Sequence, residues 1–173
     1  SVWINPVLFQ EVPRQEQVLR SALDRADITL PANTPTAELC IATVGSPGFE
    51  DWVDDLLGSV CANAQCAHAL LAIFFYGKSQ RIREIAEKYG ALIIPCKPLR
   101  PLNVTCKAVL YTVGRVINAR KFICIDADVL VLDDLRPIVA AIDAVPEGSI
   151  MICREAGFQE DVGAALEKMY FGN

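Results

Sequence analysis

The stretch KFICIDADVLVLDDL, residues 121–135, decides the fold. Phe122, Ile123, Cys124 and Ile125 form an apolar run expected to lie buried as a strand, and the run stops at two acids one residue apart, Asp126 and Asp128. A buried carboxylate without a partner is costly or takes up a proton, so two of them at a strand end require a cation nearby. In extended backbone, alternate residues point to the same side, which lets both acids converge on one ion. Oxygen ligands alone select hard divalent cations such as Mg²⁺ or Mn²⁺, which keep positions open for water or for the phosphates of a substrate. The plainer alternative has one acid capping the following helix and the other solvated at the strand end.

Outward from this run the chain alternates between apolar and amphipathic segments. LCIATV (39–44), ALLAIFFY (69–76), ALIIPC (91–96) and SIMIC (149–153) read as the other strands, and GSPGF (45–49) as a tight loop. Trp52, Val53, Leu56, Leu57 and Val60 recur at helical spacing, as do Ile82, Ile85, Ala86 and Tyr89, with Gly90 placed to end the second helix. Val109, Leu110, Val113, Val116 and Ile117 form a third stripe with Asn103 or Thr105 as its cap, and a fourth helix begins near Leu135 with Asp134 as cap. Strands that are apolar throughout belong to sheets covered on both faces, and strand–helix alternation implies parallel neighbours joined by right-handed crossovers. The expected fold is α/β, a three-layer α/β/α sandwich with a mostly parallel sheet. Such sheets bind ligands beyond the carboxyl ends of their strands, where Asp126 and Asp128 fall.

Residues 1–37 read as an N-terminal arm, with one short helix around Gln15 to Asp27 and the linker-like TLPANTPTAE, while 38–173 read as the folded domain. A length of 173 residues with 53% hydrophobic side chains suits one domain with a substantial core. The 16 Lys and Arg against 21 Asp and Glu give a net charge of −5 with no basic stripe, which excludes nucleic acid as the expected partner. The longest apolar stretch, Ala69 to Tyr76, falls far short of the roughly 20 residues a transmembrane helix needs. Cys40, Cys96, Cys124 and Cys153 lie in strand-like runs, where cysteine acts as a small buried hydrophobe, so reduced thiols and an intracellular, cytoplasmic setting are expected. Cys61 and Cys66 lack a second pair or histidine at zinc-like spacing, and the single histidine, His68, reads as a packing or surface residue.

The longer run RKFICIDADVLVLDDLRPI (120–138) resembles the D-x-D strand of GT-A glycosyltransferases, most closely the family-8 type that includes glycogenin and bacterial galactosyltransferases. A strand ending in Thr43, a small loop to Phe49, a helix carrying LLGSV (56–60) and the pair Thr105 and Lys107 fit the same resemblance, which covers roughly residues 38–140. It implies a donor site for a nucleotide-sugar, usually a UDP-sugar, built from Ala42, Thr43, Phe49, Lys107, Asp126, Ala127 and Asp128. Asp126 and Asp128 would hold Mn²⁺ or Mg²⁺ against the two phosphates; Ala42, Thr43 and Phe49 would lie near base and ribose; Lys107 would lie near the sugar and phosphates. Hexosyl transfer with retention of configuration to a glycan, lipid or protein acceptor is the implied activity. Members of the family supply a third metal ligand, a histidine, from a later part of the domain. Here 45 residues follow Asp128 and none is histidine, so a donor half of a longer protein is expected. Two other readings stand beside this one. IDADVL also fits the first motif of haloacid-dehalogenase-type phosphatases, with Asp126 as nucleophile and Asp128 as acid/base. The third is a non-catalytic nucleotide- or partner-binding domain descended from a transferase.

Overall fold

A computed structural model describes residues 36–96 and 113–146, which up to Ala144 lie in one compact unit. Its elements are β1 (Ala37–Gly45), α1 (Glu50–Asn63), β2 (Leu70–Tyr76), α2 (Gln80–Tyr89), β3 (Leu92–Cys96), α3 (Val113–Val116), β4 (Ala119–Cys124) and α4 (Arg136–Asp143). All four strands run parallel in the order β3-β2-β1-β4. The α/β architecture expected from the alternation is thus present. The expected helix at Gln15 to Asp27, the strand at 149–153, and Asn103, Thr105, Lys107 and Cys153 lie outside the described residues.

Alternation along the two central strands divides the core into two layers. Leu39 and Ile41 of β1 with Leu71, Ile73 and Phe75 of β2 point to one face, where Val53, Leu56, Leu57 and Val60 of α1 and Ile82, Ile85 and Ala86 of α2 cover them. Cys40 and Ala42 with Ala72, Phe74 and Tyr76 point to the other, beside Ile94, Cys96, Val116 and Ile117. An uninterrupted apolar run such as LLAIFFY can only sit where both of its faces are covered, since each large side chain buried contributes about 1.5–3 kcal/mol. Pro95, which lacks an N–H for the ladder, is tolerated in β3 because that strand pairs on one side only among the described residues.

Two sequence expectations need correction. β4 is only half-buried rather than buried, and Cys124 at its end is exposed, because β4 pairs with β1 alone among the described strands. Cys40 and Cys96 behave as expected of small hydrophobes. Burial first, and the neighbouring Cys124 second, push the Cys40 thiol up to about 12. Leu135 rather than Asp134 is the N-cap of α4, although the Asp134 carboxylate still accepts the Arg136 N–H at 2.8 Å. Gly90 ends α2 as expected, in the left-handed conformation at φ 65°. No helix among the described residues is long and apolar enough to cross a membrane.

The strand order sets the winding. From β1 the chain steps outward to β2 and β3 with α1 and α2 on one face; it then returns to the far side of β1 for β4, with α3 and Ile117 on the opposite face. Right-handed crossovers demand this change of face when the direction of winding reverses. The reversal makes the gap between β1 and β4 the switch point of the sheet, the place where open α/β sheets bind their ligands.

Helices α1 and α2 are tied together by one carboxylate. Asp54, 15% exposed, accepts from Arg81 at 2.7 Å, Lys88 at 2.8 Å and Tyr89 at 2.7 Å. Hydrogen bonds from Lys88 and Tyr89, ahead of the nearby charges, hold its carboxyl below the usual range. Close approach of the helices depends on Gly58, where a Cβ would lie 3.0 Å from the Tyr89 hydroxyl. Asp54→Ala is expected to lower unfolding free energy by about 1–3 kcal/mol near neutral pH. Because the folded pKa is depressed, the carboxylate's contribution is complete above the unfolded-state value of about 3.9 and is lost as pH falls through the folded value. Urea titrations of both proteins from neutral to strongly acid pH check this: the gap between them should narrow on acidification.

Candidate functional site

The site begins where β1 and β4 part. Their register runs from Ala37 opposite Ala119 to Ala42 opposite Cys124, and one further bond follows, from the Ile125 N–H to the Ala42 C=O at 2.9 Å. β1 continues to Gly45 against β2, with Thr43 opposite Ile73 and Gly45 opposite Phe75. On the other side the chain leaves β4 into a turn, in which the Val129 N–H donates to the Asp126 C=O at 3.1 Å. Asp126 is half-buried, Ala127 packs on the core beside α1, and Asp128 is exposed. The extended geometry expected for the two acids is therefore replaced by a turn. Sheet pairing has ended at Cys124, so no ladder holds the next residues straight.

After the turn the chain is pinned to α1. Val131 is buried; its N–H donates to Ser59 Oγ at 2.9 Å, and its C=O accepts from Asn63 Nδ2 at 2.7 Å. Ser59 Oγ in turn donates to the Leu56 C=O at 2.7 Å, and the Leu135 N–H donates to the Ala64 C=O at 3.1 Å. The acidic turn is a short span between two posts, β1 at Ala42 and α1 at Ser59 and Asn63. Sequence reading missed this clamp. Its only signal was two polar residues four apart on a helix, a spacing equally suited to a solvated face.

The loop after β1 is built by local sequence. In Ser46-Pro47-Gly48-Phe49 the Phe49 N–H donates to the Ser46 C=O at 3.0 Å and Gly48 sits at φ 97°. Proline second and a positive-φ glycine third is the type II turn. The Glu50 carboxylate accepts the Gly48 N–H at 2.6 Å. Burial raises the Glu50 pKa, but hydrogen bonds from Ser79 and from the Gly48 and Glu50 backbone outweigh it and hold the group below its usual value.

Phe49 and Trp52 then stand exposed at 44% and 49%, edge to face with ring centroids 5.0 Å apart. Trp52 does not join the apolar stripe expected for it. Val53, Leu56, Leu57 and Val60 carry the packing instead. At about 100° per residue, Trp52 shares its side of α1 with Ser59 and Asn63, roughly two and three turns further on. That is the side facing the segment that follows the acidic turn.

Of the remaining candidates, Ala42 and Thr43 line the end of β1 but are enclosed, at 0% and 1% exposure. Thr43 Oγ1 is buried without a hydrogen-bond partner. Among the described residues there is no group of three or more His, Cys, Asp or Glu side chains placed to hold a metal. An open depression at the far end of α1, lined by Asn63, Gln65, Asp133 and Arg136 among others, lies away from this edge of the sheet.

No protein-family model matches the chain, and no curated protein matches it. Among solved structures, the glycosyltransferase GlyE of Streptococcus pneumoniae TIGR4 is 18% identical with a TM-score of 0.45, the match covering 60% of this chain and 26% of GlyE. TarS of S. aureus is 14% identical with a TM-score of 0.46, covering 62% of this chain and 20% of TarS. The chain thus spans about a quarter or less of either protein, and overlap at this level carries no functional argument.

Two substitutions test the loop and the strand end. Thr43→Val, which removes a buried hydroxyl with no partner and keeps the shape, should raise stability by about 1 kcal/mol in urea unfolding. Gly48→Ala meets no atom within 4 Å but forces alanine to a positive φ, so it should lower stability by about 1 kcal/mol or more. Because the Gly48 turn sets Phe49 and Trp52, the same change should shift the tryptophan emission spectrum.

Proposed function

We propose that the chain is the donor-binding part of a glycosyltransferase that moves a sugar from a nucleotide-diphosphate sugar to an acceptor. The single observation that carries this reading is that an acidic turn, Asp126 to Val129, and a loop that ends in an exposed aromatic pair follow the carboxyl ends of two neighbouring parallel strands, β4 and β1. An anionic diphosphate would meet the acidic turn only through a divalent cation held there, and a flat nucleobase would stack on the aromatic pair. The D-x-D resemblance narrows the donor to a UDP-sugar and adds family-8 chemistry with retention of configuration.

In this reading Asp126 and Asp128 hold Mn²⁺ or Mg²⁺. Their chemistry suits it: two carboxylates, one half-buried and one exposed, leave most of a hard cation's oxygen positions to water and phosphate. Once bound, the cation acts as a Lewis acid that neutralises charge developing on the departing nucleoside diphosphate. Phe49 and Trp52 offer ring surface to the base, and the enclosed Ala42 and Thr43 form the floor of the strand end beside it. Lys107 is assigned to the donor's sugar and phosphates by the resemblance.

Thermal-shift titration of the full chain with UDP, GDP, ADP and inorganic phosphate, each with and without Mn²⁺, tests the proposal, since a ligand specific to the folded state raises stability by RT ln(1 + [L]/Kd). The expected result is a rise that requires UDP and Mn²⁺ together and disappears in Asp128→Asn, with a smaller loss in Lys107→Ala. UDP should also quench tryptophan emission in the parent protein and not in Trp52→Phe. Absence of any nucleotide response would sink the reading, and an acyl-phosphate trapped on Asp126 during phosphate-ester hydrolysis would replace it with a phosphatase.

A further inference from the structure

We infer that Ser59 and Asn63 are positioning residues for the acidic turn: they set where Asp126 and Asp128 stand relative to β1. The span that carries the acids is anchored upstream by the Ile125 N–H to Ala42 C=O bond and downstream by the two bonds that Val131 makes to α1. Between the posts, the turn bond from the Val129 N–H to the Asp126 C=O is the backbone bond that shapes the loop, while Asp128, Val129 and Leu130 are exposed. Losing the two polar bonds leaves the downstream end of this five-residue span held by the buried Val131 side chain alone, which loosens the position of the turn that carries the two carboxylates.

The two clamp residues grip both backbone polar groups of one residue, Val131. Ser59 Oγ accepts the Val131 N–H and donates its own O–H to the Leu56 C=O, which fixes the hydroxyl's direction. Asn63 Nδ2 donates to the Val131 C=O, so its amide orientation is fixed as well. A buried apolar side chain, Val131, already holds this point to the core; the polar pair adds height along α1, because a strand-like segment could slide on an apolar surface without losing contact. Asp133, Asp134 and Arg136 follow at once, with Asp134 paired to Arg136 at 2.7 Å, so this later charge is consumed locally and does not compete for the clamp.

The functional meaning of the clamp rests on the donor-site reading; the clamp itself does not. Hydrogen exchange followed residue by residue separates the two. In Ser59→Ala and Asn63→Ala of the full chain, the Val129 amide, which touches neither side chain in its turn bond, should exchange faster while core amides of β1 keep their protection. Ser59→Thr, which retains the hydroxyl, should restore it. In parallel, Mn²⁺ and UDP affinity should fall about 10- to 100-fold, the usual cost of losing a group that orients a metal ligand. Faster Val129 exchange with no metal or nucleotide binding even in the parent protein would leave the positioning intact and overturn the donor-site reading. Unchanged Val129 exchange in both alanine variants would overturn the positioning role, whatever the binding result.

Discussion

Past the Ile125 N–H to Ala42 C=O bond, β1 and β4 diverge, and the arrangement of the chain follows from that parting. A parallel sheet wound outward in both directions from one strand must change the face of its crossovers at that strand. The change leaves a notch between the carboxyl ends of β1 and β4. Topology rather than polarity brings the segments that follow the two strands to this notch, while Ala42 and Thr43 within β1 stay enclosed. Asp126 and Asp128 occupy one lip, and the Ser46 to Phe49 turn occupies the other.

Helix α1 mediates between the lips, and its three sides do different work. Val53, Leu56, Leu57 and Val60 bury against the sheet. Asp54 and Gly58 face α2, one as a shared acceptor for three donors and the other as a gap that lets Tyr89 approach. Ser59 and Asn63 face the segment after the acidic turn, with Trp52 at the upper end of the same side. A single helix therefore carries the aromatic pair at its start and the clamp near its end. Movement of α1 would disturb both lips together.

Among the described residues the buried side-chain nitrogen and oxygen atoms have hydrogen-bond partners with one exception. Thr43 is the exception among the described residues, a hydroxyl enclosed at the strand end on the threshold of the notch. An unmet hydroxyl there costs stability by about 1–3 kcal/mol. Functional edges of proteins are common places for such local conflicts.

The sequence by itself determined the architecture, because burial on both faces demands uninterrupted apolar runs, and LCIATV and LLAIFFY are unmistakable in that respect. It also determined the local turns: Pro47 and Gly48 fix a type II turn, and Gly90 fixes a helix end, through backbone preferences that need no distant partner. The two acids at a strand end were legible for the same reason. What the tertiary structure alone decided is how those acids are held. Where β4 stops pairing depends on β1, and the extended spacing expected of Asp126 and Asp128 gives way to a turn once that pairing ends. Likewise Trp52 satisfies helical spacing for the core, yet the direction of α1 over the sheet turns it outward; and Ser59 and Asn63 acquire a role only from Val131, about seventy residues away. Periodicity reports which residues can share a face, whereas the identity of the surface opposite that face is fixed by long-range packing.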